Sequence, residues 1–286
     1  MISSRIMRGG GIALAGALLA WSAGAGADSI WNMTRGVTAS SRDIYDLHML
    51  ILWICVFIGI GVFGVMFWSI YHHRKSRGAT PAQFHESTLV EVVWTVVPMV
   101  ILISMAIPAT QVLIRMADAS EAELTIKVTG YQWRWHYDYM DEGVGFFSTL
   151  STSRDQIYGV APKGEHYLLE VDQPLVVPVG KKIRILTTSA DVIHSWWVPA
   201  LGWKRDTIPG FINENWTLIE KPGTYRGQCA ELCGRDHGFM PVVVEAVSEA
   251  EFQEWLARMK AKDAPASPTA QTTDSNSLIV SGGQTL

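Results

Sequence analysis

Two long apolar runs interrupt a chain whose polar and apolar positions otherwise alternate over short distances. Met49 to Ile70 is 22 residues without a charge, and Val92 to Ile114 is 23. At a helical rise of about 1.5 Å per residue the shorter run reaches about 33 Å, enough for the hydrocarbon core of a bilayer. A buried helix of a soluble core is the plainer reading, but roughly 10–14 residues suffice for one, and both runs exceed that. Pro98 and Pro108 would break a soluble helix and are tolerated in a span. The pattern predicts two transmembrane helices, 49–70 and 92–114.

Charge orients them. The connecting loop, 71–88, carries Arg74, Lys75 and Arg77 against Glu86, whereas the segment before the first span carries Asp28, Asp43 and Asp46 against Arg35 and Arg42. By the positive-inside rule the loop is cytoplasmic and both termini lie outside. The start of the chain agrees: Arg5 and Arg8, an apolar run from Gly9 to Trp21, then Ala25-Gly26-Ala27. This is a secretory signal with cleavage expected after Ala27, so residues 1–27 are set apart and 28–117 hold the N-terminal segment and helix hairpin.

Residues 118–260 read as an extracytoplasmic β domain. Tyr131–Tyr139 (YQWRWHYDY) alternates strictly, with Tyr131, Trp133, Trp135, Tyr137 and Tyr139 on one face, and predicts a single strand. Further strands are expected over 124–128, 167–171, 182–187, 217–219, 223–228 and 242–247. Turns at Asp172-Gln173-Pro174, Val179-Gly180, Pro209-Gly210 and Pro222-Gly223 separate them. Many short strands suggest a sandwich or small barrel. Ser248 and Glu251 form a capping-box start for a closing helix over 249–260. The Pro/Ser/Thr-rich remainder, 261–286, predicts a mobile tail.

Composition adds limits. With 48% apolar and 17% charged residues and 12 tryptophans, disorder and coiled coil are excluded. A net charge of −4 argues against a nucleic-acid partner. The β domain is more acidic than the whole, with 20 Asp/Glu against 14 Lys/Arg. Three cysteines do not make a disulfide framework. No C-x-x-C-H motif occurs, so no haem is attached to this chain by that route.

The strongest chemical signal is Cys229-Ala-Glu231-Leu-Cys233-Gly-Arg-Asp-His237-Gly-Phe-Met240, with His194 upstream in Asp191-Val-Ile-His194-Ser-Trp-Trp. Thiolate and thioether are soft ligands that favour copper, and imidazole suits it in either oxidation state. One Cys, two His and a Met would make a blue-copper site. Two Cys could instead bridge a pair of copper ions, each capped by one His, with Met240 and the main-chain carbonyl of Glu231 as weak ligands. A site filled by protein groups suits electron transfer. The alternatives are a Cys229–Cys233 disulfide, which leaves His194, His237 and Met240 unexplained; a Cys2His2 zinc site, which has no use for Met240; and a thioredoxin-like copper chaperone, whose α/β fold disagrees with the β pattern. Cys55 reads as an inert packing residue in the first span.

With these residues the chain resembles subunit II of haem-copper cytochrome c oxidases, which carries a dinuclear copper A centre. The likeness spans roughly residues 30–259. It rests on Cys229–Met240 with His194, on the Trp133 segment, on Glu91-Val-Val-Trp-Thr-Val-Val-Pro98 and on Pro209-Gly210. It implies a two-helix membrane hairpin bearing an all-β cupredoxin-like domain on the outer side of a bacterial inner membrane. Cytochrome c would donate to two copper ions held by His194, Cys229, Glu231 (through its carbonyl), Cys233, His237 and Met240. The electron would pass to haem in subunit I, where oxygen is reduced and protons are pumped.

The same likeness implies that Trp133 receives the electron; periodicity alone reads it as a packing residue. Many members have an aromatic where Arg134 stands, which brings a cation to the docking face. The likeness further implies that Asp138, Asp172 and Asp191 attract the donor, that Glu91 marks a proton-uptake entrance, and that the Glu231 side chain helps hold a magnesium or manganese ion at the subunit I boundary. A membrane-tethered copper chaperone and a copper-free quinol oxidase subunit are the competing functions.

Overall fold

The computed structural model describes residues 32–263 apart from Phe84. The expected signal segment, 1–27, lies outside them, as does the expected tail from 264 onward. Among the described residues two α-helices come first, α1 (Ala39–His72) and α2 (Thr88–Ala117). Both are longer than the apolar runs that announced them. Helix α1 begins ten residues earlier because Thr38 caps it: its side chain accepts from the Ser41 main chain while the Ser41 hydroxyl lies 3.0 Å from the Thr38 main-chain nitrogen. Val112, near the end of the second run, is buried, but most of the apolar stretch of each helix is exposed, with Phe57 68% and Leu102 62% accessible. Side chains of that kind are suited to lipid and not to a soluble core.

Ten strands follow: β1 (Leu124–Tyr131), β2 (Arg134–Tyr139), β3 (Val144–Ser148), β4 (Leu175–Pro178), β5 (Ile183–Ser189), β6 (His194–Trp197), β7 (Lys204–Thr207), β8 (Asn213–Thr217), β9 (Gly223–Cys229) and β10 (Pro241–Val247). Short helix α3 (Arg154–Ile157) lies between β3 and β4, and α4 (Glu249–Asp263) closes the domain. One sheet runs β3-β2-β1-β5-β8 and the other β4-β10-β9-β6-β7. Strands β1 and β5 pair in parallel, as do β4 and β10. The sheets enclose Ile126, Val128, Trp135, Tyr137, Trp196, Val242 and Val244, all buried. Each large apolar side chain so enclosed contributes about 1.5–3 kcal/mol. The buried Tyr139 hydroxyl crosses between the sheets, donating to the Val176 carbonyl at 2.6 Å and accepting from the Val176 N–H at 3.1 Å.

Four sequence expectations need correction, the first being the strand expected over 217–219, which lies earlier as β8 and ends at Thr217, with only Ile219 bridged beyond it, to Thr38. Tyr131–Tyr139 is not one strand: Tyr131 ends β1 opposite Arg134, and Gln132-Trp133 are the two-residue connection between β1 and β2. The alternation holds only for Trp135, Tyr137 and Tyr139, which point into the core. Residues 167–171 are not a strand: Tyr167 and Leu168 end a turn, with Leu168 at φ 62°, and only Val171 is bridged, to Leu150. Helix α4 continues to Asp263, into the segment expected to be tail. Its start is as expected, the Ser248 N–H donating to Glu251 at 2.9 Å, and Phe252 and Leu256 are buried against the domain.

The domain is clasped to its helices. Arg42 of α1 makes a two-pronged pair with Glu220 at 2.9 and 2.5 Å, and Arg115 of α2 lies 3.0 Å from Asp43. The Trp216 indole donates to the Arg115 carbonyl at 3.2 Å. This collar adjoins the side of the domain where Thr38 bridges Ile219.

Candidate metal centre

Strand pairing creates the site. Strands β6 and β9 run side by side with Trp196 opposite Cys229, and β9 and β10 pair with Pro241 opposite Gln228. His194 at the start of β6, Cys229 at the end of β9 and Met240 just before β10 therefore meet at one end of the sandwich. The eleven-residue loop from Ala230 to Met240 folds over them, anchored by Ala230 N–H on the Ser195 carbonyl at 3.0 Å and Cys229 N–H on the Met240 carbonyl at 3.3 Å.

The ligand atoms of His194, Cys229 and Cys233 all lie within 4.8 Å of one another, and all three residues are buried. The two sulfurs are 3.9 Å apart and unbonded, so the disulfide reading fails here. Around Cys233 Sγ stand Met240 Sδ at 3.6 Å and His237 Nδ1 at 3.5 Å; the Glu231 carbonyl is 3.3 Å from Cys229 Sγ. The six residues singled out in the sequence thus converge.

The polar arrangement is directional. His194 Nε2 is 2.8 Å from Asp191 Oδ1, while His194 Nδ1 is buried with no hydrogen-bond partner. A buried, unsatisfied ring nitrogen is costly and is what a metal ligand requires, and a carboxylate on the opposite nitrogen fixes the tautomer and raises ligand basicity. Burial pushes the Cys229 thiol up, but the neighbouring His194 imidazole, the main chain at Ser195 and Glu231, and Cys233 outweigh it and bring its pKa below the ordinary value. Burial, and then the adjacent Cys229 charge, push Cys233 up to about 12. Burial lowers His194, but Cys229 and Asp191 more than compensate, and its pKa is raised. Burial raises the Asp191 carboxyl; bonds from His194 and the Gln132 and Val192 N–H groups bring it below the usual range. The donors are soft and internally provided, and they fit a copper ion or pair closed off from substrate.

Trp133 belongs to the site: its indole N–H reaches the Cys233 carbonyl at 3.3 Å. Asp191 belongs as well, through His194. Asp138 does not; it sits on β2 and pairs with Lys127 at 3.0 Å and His136 at 3.3 Å. Asp172 is occupied by Thr149, accepting from its N–H at 2.7 Å and its hydroxyl at 2.6 Å. Glu91 lies in the first turn of α2, exposed and apart from the centre. Arg134 covers the Phe147 ring at 3.9 Å. Sequence reasoning missed three contributors. Gln132 donates to the Cys233 carbonyl, Trp135 donates to the Met240 carbonyl at 3.3 Å, and Gly130 backs the His194 ring. Their only signal was nearness to Trp133.

Comparison with known proteins agrees with this architecture. The family model "Cytochrome C oxidase subunit II, periplasmic domain" matches residues 124–247, and "Cytochrome C oxidase subunit II, transmembrane domain" matches 27–112. The chain is 40% identical over 231 residues to a probable cytochrome c oxidase subunit 2 of Rickettsia prowazekii (strain Madrid E), covering 79% of this chain and 72% of the relative. It is 36% identical over 233 residues to cytochrome c oxidase subunit 2 of Cereibacter sphaeroides, covering 77% of each. The solved periplasmic domain of subunit II of cytochrome oxidase of Bradyrhizobium japonicum is 44% identical, covers 51% of this chain and 99% of its own, and gives a TM-score of 0.46. The chain belongs to the cytochrome c oxidase subunit II family, membrane-anchored components of an oxidoreductase complex.

Proposed function

We propose that this chain is the electron-receiving subunit of a respiratory oxidase, taking electrons from cytochrome c at a dinuclear copper centre and delivering them to haem in subunit I for oxygen reduction coupled to proton pumping. The observation that carries this reading is the buried His194–Cys229–Cys233 cluster with an unpartnered imidazole nitrogen at its centre. His194, Cys229, Cys233, His237, Met240 and the Glu231 carbonyl would hold the metals. When bound, the copper pair supplies a one-electron carrier whose change of charge is shared between two ions. Because the protein fills the site, oxygen chemistry belongs to another subunit.

Trp133 receives the electron, a role supported by its bond to the carbonyl of a ligand cysteine. Asp138, Asp172 and Asp191 form the acidic part of the donor-docking face, with Arg134 as a cation beside them. The exposed Glu231 side chain helps hold magnesium or manganese at the subunit I boundary, and Glu91 stands at a proton-uptake entrance. Residues 1–27 are a signal removed on export, the loop after α1 is cytoplasmic, and residues 118–260 face the outer side of the bacterial inner membrane.

The test is a Cys229→Ser exchange in the assembled oxidase. Oxidation of cytochrome c should be lost while a small-molecule reductant still reduces the haems. Retained oxidation of cytochrome c would contradict the reading, and one exchangeable Cu(I) per wild-type chain would favour a copper chaperone.

A further inference from the structure

Gln132 occupies the first position of the β1–β2 connection, directly before Trp133, and is exposed. An exposed amide is not ordered by burial. This residue is held by two short bonds to two different loops, one from its side chain and one from its main chain. Its Nε2 donates to the Cys233 carbonyl at 2.8 Å, and its main-chain N–H donates to Asp191 Oδ2 at 2.7 Å. The other oxygen of that carboxylate is 2.8 Å from His194 Nε2. A single residue therefore ties the hairpin to both arms of the metal centre.

The Cys233 carbonyl has two acceptor positions, and Gln132 and Trp133 take one each. The Trp133 bond, at 3.3 Å, is the longer; hydrogen bonds weaken as they lengthen beyond the usual range. The Gln132 bond therefore governs how closely the hairpin lies on the cysteine loop. Gly234 permits the approach: at φ +118°, its missing Cβ would come 3.0 Å from Gln132 Nε2 and 3.1 Å from Trp133 Cζ2. Without the Gln132 amide, Trp133 loses the shorter bond that seats the hairpin on the Cys233 carbonyl and keeps its own long bond, a cation–π contact with Arg235 at 5.5 Å, its packing against the core and the main-chain bond from residue 132 to Asp191.

We propose that Gln132 is a positioning residue for electron acceptance, holding the Trp133 indole against the carbonyl of a metal-binding cysteine without itself binding donor or metal. The inference rests on Trp133 being the receiving group. A tryptophan seated on that carbonyl is joined to the cysteine sulfur through one hydrogen bond and the bonds of Cys233; a tryptophan released from it faces a gap. The electron that leaves a reduced donor then arrives more slowly, with no bond or proton changed at Gln132.

Two exchanges in the assembled oxidase test this. Gln132→Met keeps the length and loses the donor; Gln132→Lys restores a donor of similar reach. Copper content, KM for cytochrome c, rate at saturating cytochrome c and solvent exchange of the Trp133 indole proton are measured, with Trp133→Phe in parallel. The expected result for Gln132→Met is unchanged copper and KM, faster indole exchange and a rate lower by about tenfold or more, with Gln132→Lys recovering most of the rate. A wild-type rate and exchange in Gln132→Met, a rise in KM alone, or loss of copper would each overturn the proposal, as would failure of Gln132→Lys to recover the rate. If Trp133→Phe slows the reaction and Gln132→Met does not, only the role of Gln132 fails; if Trp133→Phe is silent as well, the reading of Trp133 fails with it.

Discussion

Asp191 and His194 are coupled by one hydrogen bond, Oδ1 of a solvent-facing carboxylate lying 2.8 Å from Nε2 of a wholly buried imidazole. The bond turns Nδ1 toward the cysteines. The resemblance implies donor docking for Asp191; the geometry supports another task, orienting the imidazole of a candidate metal ligand. Asp191→Ala is expected to weaken copper binding by about 10–100-fold, measured by competition with a chelator. Intact copper affinity with weakened low-salt cytochrome c binding would leave only the docking task.

Gly130 lies behind the same imidazole. A Cβ there would come 2.7 Å from His194 Cδ2 and 2.9 Å from Thr207 Oγ1, both parts of a packed interior. Gly130→Ala should therefore displace the ring, cost about 1–3 kcal/mol of stability and lower copper content. Thermal unfolding with metal analysis checks it, and an unshifted midpoint with full copper would show that the ring has room to move.

The thiols set a pH dependence. Cys229 ionises below the ordinary thiol range, whereas Cys233, up at about 12, keeps its proton at neutral pH. A bridging thiolate must be free of its proton, so closing the site expels the one on Cys233, and a protonated His194 must also give one up. Each proton released makes affinity rise about tenfold per pH unit. Copper affinity should fall as pH is lowered from about 8 to about 6; a flat profile would mean that Cys233 is not a ligand.

Asp172 offers a separate test of docking. Its carboxylate holds Thr149 and the Gln173 N–H, at 2.8 Å, yet remains solvent-facing. Asp172→Asn should weaken cytochrome c turnover at low salt and converge with wild type at high salt, because exposed charges act through a screened field. Equal kinetics at both ionic strengths would remove Asp172 from the docking face.

Which features could be read in advance follows from where their causes lie. The spans were legible because bilayer thickness acts on contiguous sequence. The convergence of the candidate ligands was legible because four of the side-chain donors share one twelve-residue segment. The early start of α1 was not, since Thr38 and Arg42 are fixed by Ile219 and Glu220 of the distant domain. Strand β7 (KRDT) has no apolar alternation to reveal it; pairing with β6 creates it. The turn at Gln132-Trp133 carries no Gly, Pro, Asn or Asp and hid inside an aromatic alternation. Only the bonds to Cys233 and Asp191 disclose why the chain reverses there.

The central claim is the paired metal. Metal analysis of the purified membrane complex, combined with electron spin resonance of the oxidised form, addresses it most directly. The account predicts two copper ions per chain sharing one unpaired electron equally. A lone copper with its spin confined to one nucleus, a zinc ion, or no metal in this subunit would contradict it.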